Sequence, residues 1–165
     1  MKYAETAVVF REIPDECSLA ISISECKIHC LDCHSKHLWE SIGDDLTIDA
    51  IDTLIKENEG ITCICFMGGE YYKLKHFLTY IRKKYPQLKL GWYTGSNQIP
   101  KDYDIRNLLD YIKVGPYIDK FGGLDNPNTN QRMYQIVTDK LGRKIYTDIT
   151  YRFQNNETKD LCKTF

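Results

Sequence analysis

Short apolar runs that are typical of β-strands recur along the chain and are separated by polar segments. Residues 19–24 alternate large apolar side chains with small ones, which predicts a strand with two unlike faces. Residues 61–67 are almost wholly apolar, which predicts a strand buried on both faces. The full set of predicted strands is 7–10, 19–24, 61–67, 88–92, 111–114, 133–138 and 144–150.

Three segments between these strands carry apolar residues at helical spacing. The first follows Thr47, a favourable N-cap residue, and ends at Gly60. The second has its apolar stripe between residues 74 and 85 and stops at Pro86, and the third is a short helix over 105–109. Strands that alternate with helices predict an α/β fold with a mostly parallel sheet, in a single domain over residues 1–165.

The composition is that of an ordinary globular domain, and it narrows the classes of partner. The 165 residues are 42% hydrophobic and 27% charged, which suits one domain with one core. A net charge of −1 gives no electrostatic basis for binding nucleic acid or an anionic membrane. No apolar run reaches the roughly 18 residues of a membrane span, and residues 1–10 do not resemble a secretory signal. We therefore expect a cytoplasmic protein with neither nucleic-acid nor membrane partners.

Seven cysteines are a high number for this length, and three of them stand close together. Cys26, Cys30 and Cys33 have the spacing C-x3-C-x2-C and directly follow the strand predicted at 19–24. Cysteine thiolates hold iron–sulfur clusters, and a compact loop can bring three of them to one 4Fe-4S cluster. Because such a cluster usually takes four cysteines, three leave one iron open to a ligand that is not protein. The other cysteines are scattered: Cys17, Cys63, Cys65 and Cys162.

A structural zinc site is the alternative interpretation of the same loop. Zinc takes four ligands, and His29, His34 or His37 would complete a tetrahedron with the three cysteines. The loop by itself leaves both interpretations open.

Cys63 and Cys65 lie in the apolar run 61–67, and we predict that both are small core side chains.

A pair of glycines followed by a glutamate, Gly68-Gly69-Glu70, directly follows the apolar run 61–67. Two glycines let a ligand approach the backbone without meeting a Cβ atom, and Glu70 can accept hydrogen bonds from an ammonium group. The same three residues also fit an ordinary strand-to-helix turn with an acidic residue in the first helical turn. This motif alone therefore points to a ligand site only weakly.

A second turn motif, Tyr93-Thr94-Gly95, follows the next predicted strand, 88–92. Its simplest interpretation is a strand end with a turn glycine. In an α/β fold, however, the carboxyl ends of parallel strands meet at one edge of the sheet, where ligands bind. We therefore expect this turn, the Gly-Gly-Glu turn and the cysteine loop to lie together.

The order of these motifs resembles the radical S-adenosylmethionine (radical SAM) superfamily, and within it the activating proteins of anaerobic ribonucleoside-triphosphate reductase. The resemblance runs from residue 18 to about residue 132. It includes the cysteine loop, the two turns, the stretches 30–39 and 110–117, and Asn130-Gln131-Arg132. The chain departs from the family at Asp32, where glycine or an aromatic residue is common, and at His34, where an aromatic residue is common. The planar imidazole of His34 can still pack near adenine.

The resemblance implies a small partial (β/α) barrel of the radical SAM type and a 4Fe-4S cluster held by Cys26, Cys30 and Cys33. The amino and carboxylate groups of S-adenosyl-L-methionine (SAM) would bind the open iron. Gly68-Gly69-Glu70 would hold the amino group of the methionine part, and Tyr93-Thr94-Gly95 would lie close to the bound SAM.

The resemblance also implies an activity and partners. The protein would be an oxidoreductase that cleaves SAM reductively and generates a glycyl radical on the large catalytic subunit of anaerobic ribonucleoside-triphosphate reductase. An electron donor such as flavodoxin would reduce the cluster. Two alternatives stay open: an activase of another glycyl radical enzyme, and a non-catalytic zinc or iron–sulfur binding module.

Overall fold

One open β-sheet of eight strands organises residues 1–154, which are the residues that the computed structural model describes. The strands are β1 (Lys2–Val9), β2 (Ser18–Ile23), β3 (Asp44–Asp45), β4 (Cys63–Met67), β5 (Lys89–Tyr93), β6 (Tyr111–Val114), β7 (Arg132–Thr138) and β8 (Lys144–Asp148). Their order across the sheet is β3-β1-β2-β4-β5-β6-β7-β8. Every predicted strand is present, β1 begins earlier than predicted, and β3 is an addition.

The centre of the sheet is parallel and its two sides are antiparallel. β2, β4, β5 and β6 are parallel neighbours, so their carboxyl ends share one edge. On one side β1 pairs antiparallel with β2 and β3, and on the other side β7 pairs antiparallel with β6 and β8. This antiparallel share is larger than the mostly parallel sheet that the sequence predicts. Short connections join β1 to β2 and β7 to β8, and such connections can join antiparallel strands but not parallel ones. The partial barrel of the radical SAM type stays a prediction.

The helices follow the predicted positions closely. They are α1 (Ile48–Glu57), α2 (Tyr71–Lys84), α3 (Tyr103–Leu108) and a single turn after β8, α4 (Tyr151–Gln154). The hydroxyl oxygen of Thr47 accepts a hydrogen bond from the N–H of Ala50 at 3.0 Å, which confirms the predicted N-cap of α1. No helix within residues 1–154 combines the length and apolar character needed to span a membrane.

Helices α1 to α3 pack on one face of the sheet, and the larger hydrophobic core lies between them and the sheet. Along β4, Ile64 and Phe66 face this core, while Cys63 and Cys65 alternate with them and face a second, smaller core. Burial raises the pKa of Cys63 to about 12 and raises the pKa of Cys65 well above its usual value. Both side chains are fully buried, which confirms that they are small core residues. Cys162 lies outside the described residues.

The second face of the sheet is covered by loops instead of long helices. Residues 10–17 and 115–131 supply Ile13 and Leu124 to its core. Arg152 of α4 donates hydrogen bonds to both carboxylate oxygens of Asp15, at 2.7 and 2.8 Å, which ties α4 to the first of these loops. This looser cover leaves room for a cavity next to the carboxyl ends of the parallel strands.

Candidate metal centre and adjoining cavities

The loop that follows β2 carries the three clustered cysteines. Cys26, Cys30 and Cys33 are free thiols, and each is partly exposed. The N–H of Cys26 donates to the carbonyl oxygen of Leu38 at 3.0 Å, which closes the base of the loop. The N–H of Cys33 donates to the carbonyl oxygen of Cys30 at 3.0 Å, which forms a turn inside the motif. Backbone hydrogen bonds therefore hold the loop at two points while the thiols stay accessible.

The donor set of this loop fits an iron–sulfur cluster. Within residues 1–154, no three side chains of His, Cys, Asp or Glu are gathered as ligands of a single metal ion. A 4Fe-4S cluster does not require that arrangement, because each cysteine binds a different iron of the cubane. Three accessible thiols on one short loop are the ligand type and the placement that such a cluster takes.

Each histidine that a zinc site would draw on contacts another side chain. The three contacts are His29 stacked on Trp39 (ring centres 4.6 Å apart), His34 beside Tyr117 (4.2 Å) and His37 beside Glu5 (3.3 Å from Nε2 to Oε1). Within residues 1–154, none of these histidines joins the cysteines in a group of three or more side chains that could hold a single metal ion.

Gly95 brings the turn after β5 into contact with the cysteine loop. A Cβ atom added at Gly95 would lie 2.8 Å from Cγ2 of Ile28 and 3.2 Å from Sγ of Cys30. A side chain has no room at this position, and the backbone of the turn packs directly against the loop. The turn and the loop therefore lie together, as the parallel strands lead one to expect.

A cavity of about 350 Å³, which we call the glycine cavity, lies between the cysteine loop and the ends of β4 and β5. Its polar lining includes Cys26, Gly68-Gly69-Glu70 and Thr94-Gly95, together with Ser96, Gln98 and the cationic side chains of Lys27 and Lys101. Its apolar wall includes Ile28, Trp92, Ile99 and Pro100. The volume lies near the lower end of the roughly 300–1,000 Å³ that is typical of small-molecule sites.

The Gly-Gly turn owes its shape to backbone angles that other residues avoid. Gly68 has φ +89° and Gly69 has φ +81°, both in the left-handed region. The N–H of Gly68 donates to the carbonyl oxygen of Tyr93 at 2.9 Å, and Nε1 of Trp92 donates to the carbonyl oxygen of Gly68 at 2.8 Å. These bonds fix the turn against β5, so the next residue, Glu70, points its carboxylate at the rim of the cavity.

Glu70 presents an ionised carboxylate to the glycine cavity. Its Oε2 accepts hydrogen bonds from the hydroxyl of Tyr72 at 2.8 Å, and Nζ of Lys73 lies 3.1 Å away. The hydrogen bond from Tyr72 and then that from Lys73 lower the pKa of Glu70 below its usual value. Both contacts go to Oε2, and a carboxylate offers about four acceptor sites over two oxygens, so Oε1 can accept from a ligand.

A second cavity of about 940 Å³, which we call the lysine cavity, lies on the loop-covered face. Two residues that were predicted to lie beside SAM, His34 and Tyr93, line this cavity instead of the glycine cavity. The hydroxyl of Tyr93 donates to the carbonyl oxygen of Glu12, and burial raises the pKa of Tyr93 well above its usual value. The other predicted contact residues, Gly68-Gly69-Glu70 and Thr94-Gly95, all line the glycine cavity.

Lys113 is a site residue that the sequence pattern concealed. It lies in the short apolar strand β6, yet its side chain lines the lysine cavity and is only 8% exposed. Its Nζ donates a hydrogen bond to the carbonyl oxygen of Gly115 at 2.7 Å. Burial lowers the pKa of Lys113 to about 8, and negative charge at Cys30 and Cys33 acts in the opposite direction. A lysine inside the otherwise apolar strand Tyr111–Val114 is an unusual sequence feature, but it does not show which cavity the side chain lines.

The Asn-Gln-Arg stretch connects two sides of the lysine cavity. Nδ2 of Asn130 donates to the carbonyl oxygen of Pro116 at 2.9 Å, which fixes the loop after β6 to the start of β7. Gln131 is 5% exposed and lines the lysine cavity beside Lys113. This stretch therefore joins the loop after β6 to β7 and contributes a buried amide to the cavity.

Comparison with known proteins identifies the family. Residues 16–134, more than half of the chain, match the sequence profile of the 4Fe-4S single cluster domain, and the match includes the three clustered cysteines. Searches of curated proteins and of solved structures find no match to the chain. The accessible thiols of the cysteine loop and this match both indicate a 4Fe-4S cluster. The chain belongs to the family of 4Fe-4S single cluster domains and is an iron–sulfur protein.

Proposed function

We propose that this protein is a radical SAM activating enzyme that generates a glycyl radical on anaerobic ribonucleoside-triphosphate reductase. The observation that carries the proposal is the glycine cavity. There Cys26, the Gly-Gly-Glu turn and the Thr-Gly turn, which come from the ends of three neighbouring parallel strands, face one small-molecule-sized space. In the radical SAM resemblance, these same three motifs hold the cluster and SAM.

Three cysteines would hold the cluster in this enzyme: Cys26, Cys30 and Cys33. When bound, the cluster supplies one electron to the sulfonium of SAM and an iron site for the amino and carboxylate groups of SAM. The protein residues orient SAM. The carboxylate of Glu70 accepts a hydrogen bond from the amino group of the methionine part, and the turn at Gly68 and Gly69 admits that part close to the backbone.

The apolar wall of the glycine cavity suits the adenine ring. Ile28, Ile99 and Pro100 line it with aliphatic atoms, whereas Trp92, which is only 2% exposed, contributes little surface. His34 lies in the lysine cavity, so we assign the adenine contact to this wall and not to His34. Adenine stacks on apolar surfaces because burial of its flat faces removes them from water.

The proposed reaction balances with one external electron per SAM. The electron enters the bond between sulfur and C5′, which breaks to give methionine and a 5′-deoxyadenosyl radical. This radical takes a hydrogen atom from the Cα of a glycine in the partner, which yields 5′-deoxyadenosine and a glycyl radical. The segment that carries this glycine must therefore reach the mouth of the glycine cavity, because hydrogen-atom transfer requires direct contact with C5′.

The first test is electron paramagnetic resonance (EPR) on anaerobically reconstituted and reduced protein, with and without SAM. We expect a signal of a reduced 4Fe-4S cluster that changes when SAM is added, and formation of 5′-deoxyadenosine. A cluster signal that SAM leaves unchanged, without 5′-deoxyadenosine, would identify a non-catalytic iron–sulfur module and refute the proposal.

A matched pair of cysteine variants tests the ligand assignment. Cys30→Ala should abolish SAM cleavage and change the cluster signal, because one thiolate ligand is lost. Cys17→Ala is the control, because Cys17 lies outside the loop. Its main-chain hydrogen bonds to Thr62 and Cys63 do not depend on its side chain. Full SAM cleavage by Cys30→Ala would show that the assignment is wrong.

A further inference from the structure

Lys113 is a buried cation without a carboxylate partner in the part of the chain that the structure describes. Its side chain is 8% exposed, and the hydrogen bond of its Nζ goes to a neutral acceptor, the carbonyl oxygen of Gly115. Glu12 and Asp125 line the same cavity, but neither forms an ion pair with Lys113 within residues 1–154. Burial of an ammonium without an opposite charge is costly, so the charged form requires an anion nearby.

The packing of β6 places this cation beside the cysteine loop. The N–H of Thr94 donates to the carbonyl oxygen of Lys113 at 2.8 Å. The next residue, Gly95, packs against Cys30, whose Sγ lies 3.2 Å from the position of an added Cβ. His34, the neighbour of Cys33, lines the cavity into which Lys113 points. Negative charge at Cys30 and Cys33 raises the pKa of Lys113, against the larger effect of burial, which agrees with this placement.

We propose that Lys113 is the counter-ion of the iron–sulfur cluster and that its charge raises the reduction potential of the cluster. The inference rests on the proposed ligands Cys26, Cys30 and Cys33, but it does not depend on SAM cleavage. One-electron reduction adds a negative charge to the cluster, so a fixed cation stabilises the reduced form more than the oxidised form. Because Lys113 is buried, water screens this effect less than it screens exposed lysines. Lys113 acts here through its charge alone.

The experiment is a redox titration of the reconstituted cluster, monitored by EPR in the absence of SAM. Lys113→Met removes the charge and keeps most of the side-chain volume, while Lys113→Arg keeps the charge. Lys140→Met, at an exposed position in the connection between β7 and β8, removes one positive charge far from the sheet edge that carries the cluster loop. We expect a more negative midpoint potential for Lys113→Met than for the original protein. Lys113→Arg and Lys140→Met should have midpoint potentials close to that of the original protein.

Iron and sulfide contents of each preparation show that the same cluster is titrated. If Lys113→Met does not take up the cluster, Lys113→Gln, which is neutral but polar, is titrated instead. A midpoint for the neutral variant equal to that of Lys140→Met overturns the inference. A shifted midpoint in a protein that does not bind SAM leaves the inference standing and refutes only the proposed SAM chemistry. Both proposals assume that Cys26, Cys30 and Cys33 hold the cluster. Loss of the EPR signal of the reduced cluster in Cys30→Ala tests this assumption separately.

Discussion

Gly95 lies where the turn after β5 meets the cysteine loop, and its missing side chain sets the distance between them. An added Cβ would lie 2.8 Å from Ile28 and 3.2 Å from the sulfur of Cys30. A methyl group here would push the loop away from the turn and displace Cys30, a proposed cluster ligand. The effect on function thus arises from a close approach and not from an unusual backbone angle.

We predict that Gly95→Ala lowers cluster content after reconstitution severalfold, because the loop must move to accept the methyl group. Iron and sulfide analysis and the absorbance of the cluster measure this. Gly60→Ala is the control: no atom lies within 4 Å of its added Cβ, but its φ of +88° is strained for alanine. Gly60→Ala should cost about 1 kcal/mol of stability and keep full cluster content. Equal cluster contents in the two variants would contradict the prediction.

At the scale of elements, α1 is fixed to α2 by one carboxylate. Asp52 of α1 accepts hydrogen bonds from the hydroxyls of Tyr80 and Tyr85, at 2.8 and 2.9 Å, and from Nζ of Lys84. The hydrogen bond from Lys84 is the main cause that holds the pKa of Asp52 below its usual value of 3.8. A lowered carboxyl pKa means that the folded protein favours the ionised form more than the unfolded chain does.

We predict that Asp52→Asn lowers the free energy of unfolding by about 1 kcal/mol at neutral pH, because three donors lose a charged acceptor. The contribution of Asp52 is fully present above its unfolded pKa and is lost as pH falls through the lower folded pKa. The difference between variant and original protein should therefore shrink below about pH 4. Urea unfolding at a series of pH values measures this difference in the free energy of unfolding. Glu57→Gln, at an exposed position at the end of α1, is the control. A difference that stays constant down to pH 2 would show that the ionised state of Asp52 is not the cause.

At the scale of the whole molecule, the two faces of the sheet have different roles. Helices seal one face with the larger core, and loops cover the other, where the lysine cavity lies. Residues of the cysteine loop line both cavities: Cys26 and Ile28 line the glycine cavity, and His34, next to Cys33, lines the lysine cavity. In the proposed function, SAM binds in the glycine cavity, and the partner's glycine must reach C5′ of SAM there, because hydrogen-atom transfer requires direct contact.

We predict that the protein, with SAM and a reductant, produces a glycyl radical on the large catalytic subunit of anaerobic ribonucleoside-triphosphate reductase. EPR of the mixture should show the radical only when all three components are present, and Cys30→Ala should give none. If 5′-deoxyadenosine forms but the reductase stays without a radical while another glycyl radical enzyme acquires one, the proposed partner is wrong and the activase chemistry stands.

Local features of the fold could be predicted because short-range interactions cause them. The cap of α1 depends on a hydrogen bond between Thr47 and Ala50, and β6 was predicted with its observed ends, Tyr111–Val114, from four residues of sequence. The antiparallel sides of the sheet were underestimated, because strand direction depends on which strands meet, and periodicity within one strand does not reveal this. The positions of His34 and Lys113 relative to the cavities depend on residues far apart in the chain, and sequence spacing carries no information about them.

The sequence by itself determined that the thiols of the cysteine loop lie close together, since three cysteines within eight residues are close in any fold. It also determined the α/β alternation and the order of the motifs at the carboxyl ends of strands, because side-chain periodicity and turn residues act over a few positions. Only the tertiary structure decided that Gly68–Glu70 and Thr94-Gly95 share one cavity with Cys26, and that His34 faces another with Lys113. Cavities and buried charges arise where distant segments pack, and packing depends on the three-dimensional fit of side chains that are not neighbours in sequence.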